Sequence, residues 1–142
     1  MLTLQGIMKA INTKLKNKFN IEINDNDVKK GFDRPSFFVK FDNLSKTDYQ
    51  YMFERRLTVR IYFFPTNRHK YQIEVLEVQQ DIETLFHLGL KVEERFVKIV
   101  DDIQSEVIDG VLMITFDLSY SDSSYEEDEY EKMEELNLNA GY

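Results

Sequence analysis

Leu4, Ile7, Met8, Ile11, Leu15 and Phe19 recur three or four residues apart, while Lys9, Lys14, Lys16 and Lys18 fall mostly between them. That period places the apolar residues on one buried stripe and predicts an amphipathic helix over residues 3–19, with Thr3 positioned as its N-cap. "NIEIN" then reads as a short strand, and "DNDVKKGFDRP" as a connection rich in turn formers. In "SFFVKFDNLSKTDYQYMFERRLTVRIYFFP" the period shortens to two: Leu57, Val59, Ile61 and Phe63 alternate with Thr58, Arg60 and Tyr62. One face therefore meets a core and the other meets solvent or a partner. Two strand-like segments around a polar centre predict a long antiparallel hairpin, ended by Pro65 because proline cannot donate to a ladder. Val75, Val78, Ile82, Leu85 and Phe86 form a second helical stripe, broken near Gly89. Strand signals return in "ERFVKIV" and "SEVIDGVLMITFDLSY", with "IDGV" as the turn and Leu112, Ile114, Phe116, Leu118 and Tyr120 on one face.

This order predicts an α+β fold: a mainly antiparallel β-sheet with two helices packed on one face, a long β-hairpin arm and an acidic C-terminal tail. At 142 residues the chain suits one domain over 1–121, followed by an extension over 122–142. No apolar run reaches the ~18 residues that a membrane span needs, and the N-terminal apolar residues are spread at helical spacing, unlike those of a signal peptide. The expectation is a protein that stays where it is synthesised, in the cytoplasm, with no membrane partner. Zero Cys excludes disulfides and thiolate metal sites.

Charge changes the picture at the C-terminus. Residues 122–142 hold eight acids against Lys132 alone, a net −7 of the chain's −8, so the body is nearly neutral. A polyanion is bound largely through Lys and Arg, and this balance argues against tight nucleic-acid binding while allowing DNA to slide past. His69 and His87 have no spacing that makes a catalytic pair or metal site, and Gly31, Gly89 and Gly110 stand alone, so no phosphate-cradling loop can be drawn. The paired acids of 126–135 have no desolvated cleft to separate their pKa values, and they lack the spaced Asp, Asn and Gly of a calcium loop. No catalytic residue, cofactor or metal ligand is expected.

Two stretches look built for contact. The acidic segment is interrupted by Tyr125, Tyr130, Met133, Leu136 and Leu138, so that apolar groups anchor while Glu126, Glu127 and their neighbours select a basic partner. A solvated charged tail with incidental Tyr is the plainer alternative. The hairpin tip "DNLSKTDYQYMFERR" carries Tyr49, Tyr51, Met52 and Phe53, followed by Arg55 and Arg56. Packing at the strand bases accounts for some of these groups, and projection into a neighbouring subunit accounts for the rest, by a heterologous contact that closes into a ring when the rotation allows.

The N-terminal helix, "GFDRPSFFV", "ERRLTVRIYFFP", "EVIDGVLMITFDLSYSDS" and the acidic "YEEDEYEKMEELNLN" together resemble the small tail terminator proteins of phages and phage-like elements of Gram-positive bacteria, in order over nearly the whole chain. The resemblance implies a compact α/β domain assembled as a hexameric ring at the head-proximal end of the tail tube. Such a ring stops tube polymerisation and presents a surface to the head's connector. Its implied partners are its own copies, the tail tube protein, a sheath protein where the tail carries one, and the head-tail connector, with DNA only passing through the lumen. Residues 122–138 would then lie on a neighbouring subunit or on an adjoining tail or sheath protein. Two other readings stay open on the residues: a head-side connector or stopper, and a monomeric binding module whose acidic tail mimics nucleic acid.

Overall fold

A computed structural model describes residues 2–24 and 34–123. Helix α1 spans Leu4–Phe19, and the Thr3 hydroxyl accepts the Gly6 N–H at 2.9 Å, as its N-cap position predicts. The helix stops where Asn20 turns left-handed, φ 54°, and its N–H donates to the Lys16 carbonyl at 2.8 Å. Ile7, Ile11 and Leu15 are fully buried, each contributing about 1.5–3 kcal/mol relative to exposure. Strand β1 is Glu22–Asn24, the expected short strand, and it pairs in parallel with Ser36–Phe38.

Strands β2 (Ser36–Asp48) and β3 (Met52–Phe64) form the hairpin, Ser36 opposite Phe64 and Asp48 opposite Phe53. Helix α2 is Gln72–Leu85, and strands β4 (Gly89–Val92), β5 (Arg95–Ile108) and β6 (Val111–Ser123) complete a six-stranded sheet in the order β1-β2-β3-β6-β5-β4. All its pairings are antiparallel except β1 with β2. Both helices bury their stripes in one cluster with Leu57, Val59, Ile61 and Phe63 from β3 and Leu112, Ile114, Phe116 and Leu118 from β6. The α+β expectation, helices on one side of a mainly antiparallel sheet, holds.

Three details depart from the sequence reading. The polar centre of the hairpin belongs to the ladder, and only Tyr49–Tyr51 lies between the strands. Pairing persists that far because β6 flanks β3 to its end, with Met52 opposite Ser123. The arm is thus stiffened by a third strand along β3. "ERFVKIV" and "SEVI" are one strand, β5, whose register with β6 shifts between Val100 and Gln104. Asp101 absorbs the irregularity with φ 66°, a left-handed conformation that Asp tolerates better than most residues. Strand β4 was not foreseen, four residues being too short for a period to show. The "IDGV" turn is as expected, with Asp109 at φ 51° and Gly110 at φ 77°, the pair of positive φ values that a two-residue hairpin needs.

Candidate assembly surface

Because both helices cover the same face of the sheet, the other face is free of them; Phe38 and Tyr62 pair on it at 5.9 Å between centroids, and the middle of it carries polar side chains that pair with one another. Alternation along β3 sends Arg56, Thr58 and Arg60 to that face, opposite Ser119, Asp117 and Thr115 of β6. Arg56 reaches Asp117 at 2.9 Å and Asp101 at 3.3 Å. The Thr58 hydroxyl donates to Asp117 at 2.7 Å and accepts from the Asn43 side-chain amide at 3.2 Å. Arg60 Nε donates to Asp42 at 2.7 Å, and another of its guanidinium nitrogens donates to the Thr115 hydroxyl at 3.3 Å. Each arginine is therefore matched by a carboxylate.

The carboxylates respond accordingly. The Thr58 hydrogen bond, and then Arg56, hold Asp117 below its ordinary 3.8 against partial burial. The Arg60 hydrogen bond lowers Asp42 in the same way. Asp117 in turn raises Arg56, through a hydrogen bond and then through its charge. A carboxylate whose folded-state pKa lies below its unfolded value adds stability that is present above the unfolded value and is lost as pH falls through the folded one. Asp117→Asn is therefore expected to be less stable than the parent at neutral pH, with the difference narrowing as the pH drops below 3.8. Urea titrations of both proteins at neutral and acid pH would show it, and a gap constant with pH would contradict the assignment.

The arm end is different in character. Tyr49 and Tyr51 are each about half exposed, and Met52 is 38% exposed. The Tyr49 N–H donates to the Met52 carbonyl at 2.8 Å, and Gln50 donates to the Tyr51 hydroxyl at 3.0 Å, so the short turn is held rather than loose. Phe53 does not share that exposure. It is 6% exposed, edge-on to Tyr120 at 6.4 Å between centroids, with Lys46 Nζ 4.8 Å above its ring, and so belongs to the core of the single chain. Arg55, on the same side of β3, faces Tyr120 in register, and its cation offsets part of the rise that burial imposes on the Tyr120 hydroxyl. Of the hairpin candidates, Tyr49, Tyr51 and Met52 lie together at the exposed end, Arg55 is half-buried on the helix side, and Arg56 is tied down on the polar side. Tyr125, Glu126, Glu127, Tyr130, Met133 and Leu136 lie outside the described residues.

A second apolar patch went unnoticed in the sequence. Ile73 and Leu76 are 74% and 64% exposed on the outer side of α2, and Val107 and Ile108 are exposed at the end of β5. The β5–β6 turn brings that end of the sheet against the start of α2: a side chain at Gly110 would come within 3.4 Å of the ring of Tyr71, the residue that precedes α2. The signal was available, because Ile73 and Leu76 fall off the Val75, Val78, Ile82 stripe. β3 and β6 run antiparallel, with Met52 beside Ser123 and Phe63 beside Leu112, so the two patches sit at opposite ends of strands roughly 40 Å long.

Among the described residues no group of His, Asp and Glu is arranged to hold a metal ion, and no helix is long and apolar enough to cross a membrane. No curated protein matches the chain. A family model described as phage tail terminator protein matches residues 6–131, which takes in α1 from Gly6 onward, α2, the six described strands and the start of the acidic segment, and the chain therefore belongs to the phage tail terminator family, a structural component of phage tails.

Proposed function

We propose that this protein assembles as a ring, hexameric as the family resemblance implies, that caps the head-proximal end of the tail tube, ends its polymerisation and offers the head's connector a surface to bind. The observation that carries the assembly part is the pair of apolar patches at opposite ends of the sheet. Tyr49, Tyr51 and Met52 mark one end, and Ile73, Leu76, Val107 and Ile108 mark the other. Two unlike sticky surfaces on one molecule favour heterologous, head-to-tail contact, which closes into a ring when the rotation is right. Membership of the tail terminator family supports the place of that ring. The near-neutral body suits a conduit through which DNA passes without being gripped. Tail tube protein and connector are the partners above and below the ring, with a sheath protein added if the tail contracts.

Deletion of the gene from the phage or prophage that carries it is expected to give overlong tubes without heads, seen by negative-stain microscopy of the particles released. Tails of normal length beside unattached heads would move the protein to the head side of the joint, as a connector or stopper. Normal particles would remove it from the joint altogether.

A further inference from the structure

An apolar groove of about 630 Å³ runs beside α1. Its floor is Leu4 and Met8 of the helix, Ile23 of β1 and Phe41 of β2, all only half-buried. Lys9 and Lys16 line it as well, both exposed. Asn12, on the same wall, has a buried side-chain oxygen that accepts no hydrogen bond among the described residues. The groove thus combines an apolar bed, positive charge and a spare acceptor.

What fits such a groove is a segment of opposite charge with apolar groups at intervals, and this chain carries one. The end of β6 is fastened at the head of α1: Asp122 accepts the Leu2 N–H at 2.9 Å and pairs with Arg95 at 3.0 Å. Burial pushes Asp122 up, but the Leu2 and Ser123 N–H groups and Arg95 outweigh it and hold the carboxyl ionised. The chain therefore leaves the sheet next to Leu2, two residues from Leu4, where the groove begins. Nineteen residues follow, 124–142, with seven acids against Lys132, and with Tyr125, Tyr130, Met133, Leu136 and Leu138 among them. From Leu4 to Lys16 the helix advances roughly 18 Å, which is far less than nineteen residues can span. A tethered segment also faces its own groove at an effective concentration that a separate molecule must match.

We infer that the groove between α1 and the β1–β2 edge is the docking site of the chain's own acidic C-terminal segment, its tyrosines and Met133 lying on Leu4, Met8, Ile23 and Phe41 and its carboxylates meeting Lys9 and Lys16. This concerns the free chain and does not rest on the ring.

Carbodiimide, which joins lysine amines to carboxylates in contact, tests it on the full-length protein. Equal amounts of nitrogen-14 and nitrogen-15 chains are mixed, and peptide mass spectrometry reads which chains are joined. The expected products link Lys9 or Lys16 to acids within Glu126–Glu135 of the same chain, several-fold above links from Lys40 or Lys70, and weaken in about 1 M salt. Tyr130→Ser with Met133→Ser, which keeps every charge, is expected to reduce those products several-fold. Links spread evenly over the lysines, links between chains, or an unchanged yield in the double variant would overturn the inference. So would links from Lys9 or Lys16 to Asp25, Asp27 or Asp33, which would give the groove to the connection that follows β1.

Discussion

Phe53→Ala is expected to cost about 3 kcal/mol of folding stability, at the lower end for loss of a core phenylalanine because the residue lies near the end of the sheet. For a domain of this size that is a fall in melting temperature on the order of 10 °C. The ring is 6% exposed, packs edge-on to Tyr120, and carries Lys46 over its face, so removal loses buried area, an aromatic pair and a cation contact together. Phe53→Asp is expected to cost more, because a carboxylate would be placed in a buried position beside Asp122, its partner across the β3–β6 pair. Tyr51→Ser, two residues earlier and on an exposed turn, is expected to stay within about 0.5 kcal/mol of the parent. Thermal unfolding of the three variants followed by circular dichroism decides the matter. If Phe53→Ala melts like the parent, the ring is not core, and Phe53 returns to the set of contact residues at the arm end.

Phe53 also shows how far the residues alone could carry the reading. Alternation from Leu57 back through Arg55 to Phe53 puts all three on the helix side, and this much was legible. Whether that face is still covered at Phe53 depends on how far β6 extends beside β3, and a register between segments some sixty to seventy residues apart leaves no local mark. The Arg56, Asp101 and Asp117 cluster was hidden for the same reason, since Arg56 and Asp117 stand 61 positions apart. α1, its Thr3 cap and the Asp109–Gly110 turn were legible because each is fixed by neighbours in sequence: a helical stripe, one hydroxyl, and two residues that tolerate positive φ. β5 was read as two pieces because "DDIQ" breaks the alternation, and the ladder carries the break as a bulge. Ile73 and Leu76 were visible all along as apolar residues off their helix's stripe.

Tyr49→Ser, Tyr51→Ser and Met52→Ser together are expected to abolish self-association while leaving the fold intact. The three side chains are the exposed apolar groups of an arm end closed by the Tyr49 to Met52 backbone hydrogen bond, which serine at these positions can still form. About half of each tyrosine and more than half of Met52 is covered in the single chain, so the fold is expected to survive with a modestly lower melting temperature. In a contact between copies, Tyr and Met at the centre are the types that carry most of the binding energy, and loss of anchors worth about 2 kcal/mol or more weakens a contact roughly thirtyfold or beyond. Ile73→Ser with Leu76→Ser, at the far end of the sheet, is expected to have the same effect if the two patches meet. Sedimentation velocity over a concentration series, with the parent and both variants, separates the outcomes. Assembly lost in both variants while both still unfold cooperatively as folded chains supports head-to-tail contact between the patches. Assembly lost only with the arm variant would place the arm on some other part of its neighbour, and assembly retained in both would show that neither patch joins the copies.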